Sequence, residues 1–86
     1  MREVRILYFA WLRERAGRGE EDVALPPDIR TVGGLMDWLG QRNPALAEAF
    51  GMRRVVRAAV NQSFASAETP VEAGDEVAFF PPVTGG

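Results

Sequence analysis

The sequence lacks three residue types on which much protein chemistry depends. It contains no cysteine and no histidine, and all ten of its basic residues are arginine, so lysine is absent as well. Without cysteine there is no disulfide framework, thiolate metal site or cysteine nucleophile. Without histidine the commonest metal ligand and general base is missing, and without lysine no side-chain amine can form a Schiff base or accept an acyl group. We therefore expect no metal site, no bound cofactor and no catalysis by the isolated chain.

Long apolar runs and excess positive charge are also missing. No apolar run approaches the roughly 20 residues that a membrane span needs, and the first residues, MREVRILYF, lack signal-peptide architecture. The net charge of −2 disfavours nucleic acid, which favours a basic face. The 86 residues, 47% of them hydrophobic, allow one globular domain. These features predict a small cytoplasmic domain whose partners are neither nucleic acid nor membrane.

Hydrophobic periodicity predicts a hairpin followed by a helix. Alternation at Val4, Ile6 and Tyr8 indicates a first strand over 2–9, with Leu7 and Phe9 on its second face. Three further segments follow from local signals: a helical turn at 11–16, a turn at 17–19 and a second strand at 21–25. The main helix follows Thr31 as N-cap, with apolar residues at helical spacing: Val32, Leu35, Met36 and Leu39. Gly33 and Gly34 weaken this helix and would allow it to approach the sheet closely.

The second half of the chain predicts a short helix and three strands. Asn43-Pro44 starts the helix and Gly51 ends it; the strands are expected at 55–60, 63–65 and 76–80. The resulting fold class is α+β, with a helix laid across one face of a sheet. A last strand placed beside the first and parallel to it would make this a β-grasp domain; another small α+β roll is the alternative.

The chain closes on an unusual run, Phe79-Phe80-Pro81-Pro82-Val83-Thr84-Gly85-Gly86. The two prolines favour extended geometry and cannot donate to a strand ladder, and the two glycines reduce the end to bare backbone. We expect residues 1–80 to form the domain and residues 81–86 to form a C-terminal arm able to enter a narrow channel. A frayed terminus without function is the alternative.

A terminal carboxylate, ionised at neutral pH with a pKa of about 3.5, is a poor electrophile. It reacts only after conversion to an acyl-adenylate or thioester. An amine then gives an amide, whereas a sulfur donor gives a thiocarboxylate. No phosphate-cradling glycine loop is present, because Gly17-Arg18-Gly19 lacks the Walker spacing and its lysine. Another protein must therefore perform the activation.

Three stretches resemble the small subunits of molybdopterin synthase, which are ubiquitin-like sulfur carriers. They are the end of the chain, AGDEVAFFPPVTGG at 73–86, together with VRILYFAWLRERAG at 4–17 and AAVNQS at 58–63. The resemblance implies a β-grasp fold with a mixed sheet of about five strands. It implies that Gly86 is adenylated by an ATP-using, ubiquitin-E1-like enzyme and converted to a thiocarboxylate with sulfur from a donor protein.

The resemblance also implies a destination for the sulfur. The arm, with Pro81, Pro82, Val83 and Thr84 ahead of Gly85, would enter a large synthase subunit within a heterotetramer and deliver sulfur to cyclic pyranopterin monophosphate. The carrier is then a non-catalytic, sulfur-donating subunit of a transferase. Exposed phenylalanines would form the docking patch: Phe9, Phe64 and Phe80. Burial of Phe9 and Phe80 under loops is the alternative.

Three rival functions remain open from the sequence. A sulfur carrier for thiamine thiazole synthesis shares the Gly-Gly end and the activation chemistry. A ubiquitin-like protein modifier would join the same terminus to amines of other proteins. A plain interaction domain would carry an inert tail, and would keep its function after loss of Gly85 and Gly86.

Overall fold

The fold is a mixed sheet with helices on one side, seen in a computed structural model that describes residues 3–51 and 56–82. The elements in chain order are β1 (Glu3–Tyr8), α1 (Trp11–Ala16), β2 (Glu20–Ala24), α2 (Val32–Arg42), α3 (Pro44–Gly51), β3 (Arg57–Val60), β4 (Ser63–Ala65) and β5 (Glu76–Phe80). The five strands lie in the order β2-β1-β5-β3-β4. None of the helices in the described part of the chain is long and apolar enough to cross a membrane.

Strand pairing confirms the predicted β-grasp arrangement. β1 and β2 form an antiparallel hairpin, and β5 lies beside β1 in parallel, with Tyr8 opposite Phe79. β3 pairs with β5 and β4, both antiparallel. Because β1 and β5 are parallel and adjacent at the centre, the end of β5 reaches the edge of the sheet at which β1 also ends. The residues after Phe80 therefore leave the sheet beside the loop that follows β1.

The strand and helix boundaries differ little from the expectations. The strand expected at 55–60 begins at Arg57; Val56 is buried just ahead of it, and Val55 lies outside the described residues. The main helix extends to Arg42, one turn beyond its last predicted apolar residue. Its N-cap is Thr31, whose Oγ1 accepts a hydrogen bond from the Gly34 amide at 3.1 Å.

The close approach at Gly33 involves a loop rather than the sheet. A Cβ on Gly33 would lie 3.1 Å from the Ala67 carbonyl oxygen, which already accepts a hydrogen bond from the Gly33 amide at 2.8 Å. Gly34 has ordinary space around it, since a Cβ there would meet Thr31 Oγ1 at 3.4 Å. The expectation that both glycines bring the helix close to the sheet was wrong. Gly33 approaches the loop at Ala67 and not the sheet, and Gly34 makes no approach closer than ordinary van der Waals contact.

The hydrophobic core lies between the sheet and the helices. Every second side chain of β1 and β5, the central strands, points into this core. The buried residues are Val4, Ile6 and Tyr8 of β1, and Val77 and Phe79 of β5. Phe79 lies at the middle, with ring centroids 5.0 Å from Phe50 of α3 and 6.3 Å from Tyr8. We call this side of the sheet the covered face.

Candidate docking face

No helix of residues 3–51 or 56–82 lies on the other side of the sheet, and we call that side the open face. Strand alternation and the pairing register place alternate residues of all five strands there: Glu3, Arg5, Leu7, Glu20, Asp22, Ala24, Arg57, Ala59, Phe64, Glu76, Ala78 and Phe80. Phe80 is thus the immediate neighbour of Phe79 in sequence but points to the opposite side of the sheet. The two faces differ in burial because the strands contribute side chains to the core on the covered face only.

Small residues form the floor of the open face. Ala59 of β3 lies opposite Phe64 on one side and Ala78 on the other, and Ala78 lies opposite Leu7. Ala59 is only 9% exposed although it is not part of the core cluster, so neighbouring side chains on the open face cover it. A floor of small side chains gives the larger rings room to lie across the sheet.

Phe64 and Phe80 form an aromatic pair above this floor. Their ring centroids are 6.0 Å apart, a distance at which aromatic rings attract each other. Phe64 is 84% exposed, which is unusual for a large apolar side chain and typical of a binding surface. The pair lines a groove of about 370 Å³ with Arg57 and Pro82.

Phe9 lies at the same end of the sheet. Its amide donates to the Phe79 carbonyl at 3.0 Å, which continues the β1–β5 pairing by one residue, and its side chain is 49% exposed. The next residue, Ala10, has φ 55° and ψ −134°, a conformation that residues with a Cβ rarely adopt. This turn takes the chain from the open face into α1, whose Leu12 is fully buried.

The three predicted docking phenylalanines therefore share one end of the open face. We call Phe9, Phe64 and Phe80 the aromatic patch. The exposure expected for Phe9 and Phe64 is present; their contact with a partner stays a prediction. Of the arm, Pro81 and Pro82 are half-buried beside the patch. Val83, Thr84, Gly85 and Gly86 lie outside the described residues, so their predicted roles also stay predictions.

One polar contact of the covered face was not predicted from the sequence. The Tyr8 hydroxyl donates to Glu21 Oε2 at 2.7 Å, and burial, followed by this hydrogen bond, raises the pKa of Tyr8 above its usual range. The parity of β2 contained the signal, because Glu21 is two residues from buried Val23 and so points to the same side. The bond closes the end of the core between the two hairpin strands.

Comparison with known proteins agrees with the resemblance found in the sequence. The model of the ThiS family matches residues 6–86. The molybdopterin synthase sulfur carrier subunit of Escherichia coli is 41% identical over 83 residues, which cover 96% of this chain and 99% of that protein. Two solved structures have the same fold. Small archaeal modifier protein 1 of Haloferax volcanii has a TM-score of 0.81 at 33% identity and covers 96% of this chain and 100% of its own. A putative molybdopterin converting factor subunit 1 of Pyrococcus furiosus has a TM-score of 0.79 at 30% identity, with the same coverage.

Proposed function

The chain belongs to the ThiS family, and from this premise we propose that it is the sulfur carrier subunit of a molybdopterin synthase. Gly86 carries the sulfur as a terminal thiocarboxylate and gives it to cyclic pyranopterin monophosphate in the large synthase subunit. The observation that carries the proposal is the position of the aromatic patch, where β5 ends and the sequence continues into Pro81 and the Gly-Gly end. A partner that binds the patch is thereby placed to receive the arm.

The activation chemistry requires a separate enzyme. The Gly86 carboxylate attacks the α-phosphorus of ATP, pyrophosphate leaves, and an acyl-adenylate remains. Sulfur at the sulfide level, supplied by a donor protein, attacks the acyl carbon, AMP leaves with the acyl–phosphate oxygen, and the thiocarboxylate remains. ATP is bound by the E1-like activating enzyme and not by this chain, which holds no cofactor in this proposal. We propose that this cycle runs in the cytoplasm, where ATP is supplied.

The large subunit supplies the catalytic site, and this chain supplies the sulfur. The aromatic patch docks on the large subunit in a heterotetramer, while residues 81–84 thread the channel to the reacting atoms. Gly85 and Gly86 suit a narrow channel because they carry no side chain. Two deliveries complete the dithiolene, so two thiocarboxylated chains are consumed for each molybdopterin.

Deletion of Gly86 tests the proposal most directly. We expect the deletion to abolish molybdopterin formation with an unchanged melting temperature, because the terminal carboxylate, now on Gly85, falls one residue short of the reacting position while the core is untouched. One residue added after Gly86 is the matched variant, since it keeps the glycine but moves the carboxylate. Intact-mass spectrometry of the native chain after activation should show one oxygen replaced by sulfur. Normal molybdopterin formation by either variant would contradict the thiocarboxylate mechanism.

Protein modification is the second candidate function. Three of the solved structures that resemble this chain, at 35%, 33% and 27% identity, are described as small archaeal modifier protein 1 or SAMP1. A modifier uses the same activated Gly86 but transfers it to an amine. Since this chain has no lysine, no copy could be joined to another copy through a side-chain amine. Conjugates with a single copy on lysines of other proteins, found by mass spectrometry of cell extracts, would favour this function.

A carrier for thiamine thiazole synthesis would share every activation step. Genetic complementation separates the two pathways: a host lacking its own molybdopterin synthase carrier should recover molybdoenzyme activity when it receives this chain. Recovery of thiamine synthesis alone, in a host lacking that carrier, would favour the thiamine pathway instead.

A further inference from the structure

Charge is distributed unevenly along the open face. In the interior of β1, Arg5 lies between carboxylates, with its Nε 3.2 Å from Asp22 Oδ1 and 3.8 Å from Oε2 of Glu20, the residue opposite Leu7. Glu76 of β5 lies opposite Arg5 on the other side. The positive charge of Arg5 is therefore already compensated within the chain, and the surface around Arg5 is acidic overall.

The end that bears the aromatic patch carries two arginines that have no ion pair among the described residues. Arg57 is exposed, lies opposite Phe80 across the β3–β5 pair and lines the groove with Phe64 and Pro82. Among residues 3–51 and 56–82, no carboxylate lies within ion-pair distance of Arg57. This guanidinium is held next to the aromatic rings without a counter-charge from the described chain.

A second arginine flanks the other side of the patch. Arg13 of α1 is exposed and lines a shallow depression with Leu7, Phe9 and Glu20, whose carboxylate is within ion-pair distance of Arg5. The Arg13 Cζ lies 3.0 Å from the position that a Cβ on Gly19 would occupy. The guanidinium can lie there because Gly19 has no side chain. The described residues contain no ion pair for Arg13 either.

Docking on the aromatic patch would remove water from both arginines. A guanidinium that loses water without gaining a partner costs binding free energy, whereas one that meets a carboxylate in fork geometry contributes both affinity and orientation. The partner surface must therefore place carboxylates beside the apolar socket that receives the rings. Phosphate of a nucleic acid fits less well, because Glu20, Asp22 and Glu76 lie on the same face.

We propose that Arg57 and Arg13 determine partner specificity by requiring carboxylates on the large subunit, one on each side of the socket for the aromatic patch. This rests on the proposed function, which supplies the identity of the partner. The two arginines act as a charge filter: the rings give the docking energy, and a partner with a neutral or basic rim is rejected. The acidic surface around Arg5 reinforces the filter by fixing the orientation of the complex.

Charge reversal at each arginine tests the filter. The full-length chain and its Arg57→Glu and Arg13→Glu variants are titrated against the large subunit at low and high salt. We expect each reversal to raise Kd about tenfold or more at low salt, and the difference to shrink at high salt because ions screen the rim. Arg30→Glu is the matched control, since Arg30 is an exposed arginine beside Pro70 and Glu72, away from the patch; its Kd should change less than about twofold.

The outcomes separate this inference from the proposed function. Thermal melts check that each variant is folded, and Phe80→Ala serves as a variant that weakens docking without changing charge. If Phe80→Ala weakens binding while both reversals bind like Arg30→Glu, the charge filter is overturned and the sulfur-carrier proposal stands. If the native chain does not bind the large subunit at all, both are overturned. A salt-dependent loss confined to the two reversals supports the filter.

Discussion

The covered face and the open face are built by the same strands but have different roles. Phe79 and Phe80 are consecutive in β5, yet Phe79 is fully buried against Phe50 and Tyr8 while Phe80 lies on the open face against Phe64. On the covered face, aromatic side chains fill a core. On the open face, similar side chains remain in contact with water, where they contribute less to stability and are available for a partner.

This contrast shows how a chain of 86 residues can combine a stable fold with an apolar binding surface. A small domain has little core to spare, and here the core lies entirely on the side of the helices. The patch can therefore be exposed without weakening the fold, and its residues can be changed without unfolding it. The variants below test how cleanly the two roles are separated.

The largest expected difference in stability between two variants comes from truncating the neighbouring residues Phe79 and Phe80. Phe79→Ala should lower the free energy of unfolding by about 3–5 kcal/mol, because it leaves a cavity at the centre of the core. Phe80→Ala should lower it by about 1 kcal/mol or less but weaken binding to the large subunit. Urea unfolding and binding titrations on both variants measure the difference. Equal losses of stability would show that Phe80 also belongs to the core.

A second variant isolates the most exposed ring. Phe64→Ala should leave the free energy of unfolding within about 0.5 kcal/mol of the native value, since Phe64 is 84% exposed. Its binding free energy should fall by about 2 kcal/mol, as expected for an aromatic anchor at an interface. Calorimetric titration with the large subunit measures the loss. Unchanged affinity would remove Phe64 from the docking surface.

Tyr8 on the covered face leads us to predict how the free energy of unfolding changes at alkaline pH. Burial raises the pKa of Tyr8 in the folded chain above the unfolded value of about 10. The unfolded state therefore loses its proton first, and the stability that is fully present below about pH 10 declines as pH rises above it, by up to about 1.4 kcal/mol per pH unit. Tyr8 is the only tyrosine, and the chain has no lysine or cysteine, so its side chain dominates this range.

Replacement of the hydroxyl should remove the alkaline decline. Tyr8→Phe should lose about 1.5–3 kcal/mol at neutral pH, the value of a hydrogen bond to a charged acceptor, and show a flatter stability curve above about pH 10. Urea unfolding at several pH values measures both. Tyrosinate absorbance should appear together with unfolding in the native chain. Ionisation that clearly precedes unfolding would show that Tyr8 is more accessible than its burial indicates.

Periodicity was sufficient to predict most of the fold. Alternation at Val4, Ile6 and Tyr8, and helical spacing from Val32 to Leu39, identified the elements because one face of each is buried. The strand was expected to include Val56, which precedes β3, because a valine side chain favours a strand even where the backbone is not paired. The partner of Gly33 was missed because loop 66–69 approaches α2 only in the folded chain.

Part of the aromatic patch was also predictable from the periodicity of the strands. Parity along β1 and β5 placed Phe9 and Phe80 away from the helices, since their neighbours Tyr8 and Phe79 fill the core. The flanking arginines could not be found this way. Arg57 is next to Phe80 only through strand pairing between residues distant in sequence. Arg13 is four residues from Phe9, but its guanidinium takes its position from the space left at Gly19, which depends on the fold.

The smallest expected effect lies where the chain passes from one face to the other. Ala10 has φ 55° and ψ −134°, a conformation that costs about 1–3 kcal/mol for a residue with a Cβ and little for glycine. Ala10→Gly should therefore stabilise the fold, but the extra backbone entropy of glycine, about 0.5–1 kcal/mol, offsets part of the gain. We expect a net gain of about 1 kcal/mol with no gain in affinity, because a freer backbone also loosens Phe9. Ala73→Gly, at an exposed loop residue outside the positive-φ set, is the control and should only destabilise. Urea unfolding of both variants gives the comparison, and a loss of stability in Ala10→Gly equal to that in Ala73→Gly would show that Ala10 holds no strain at the crossing between the faces.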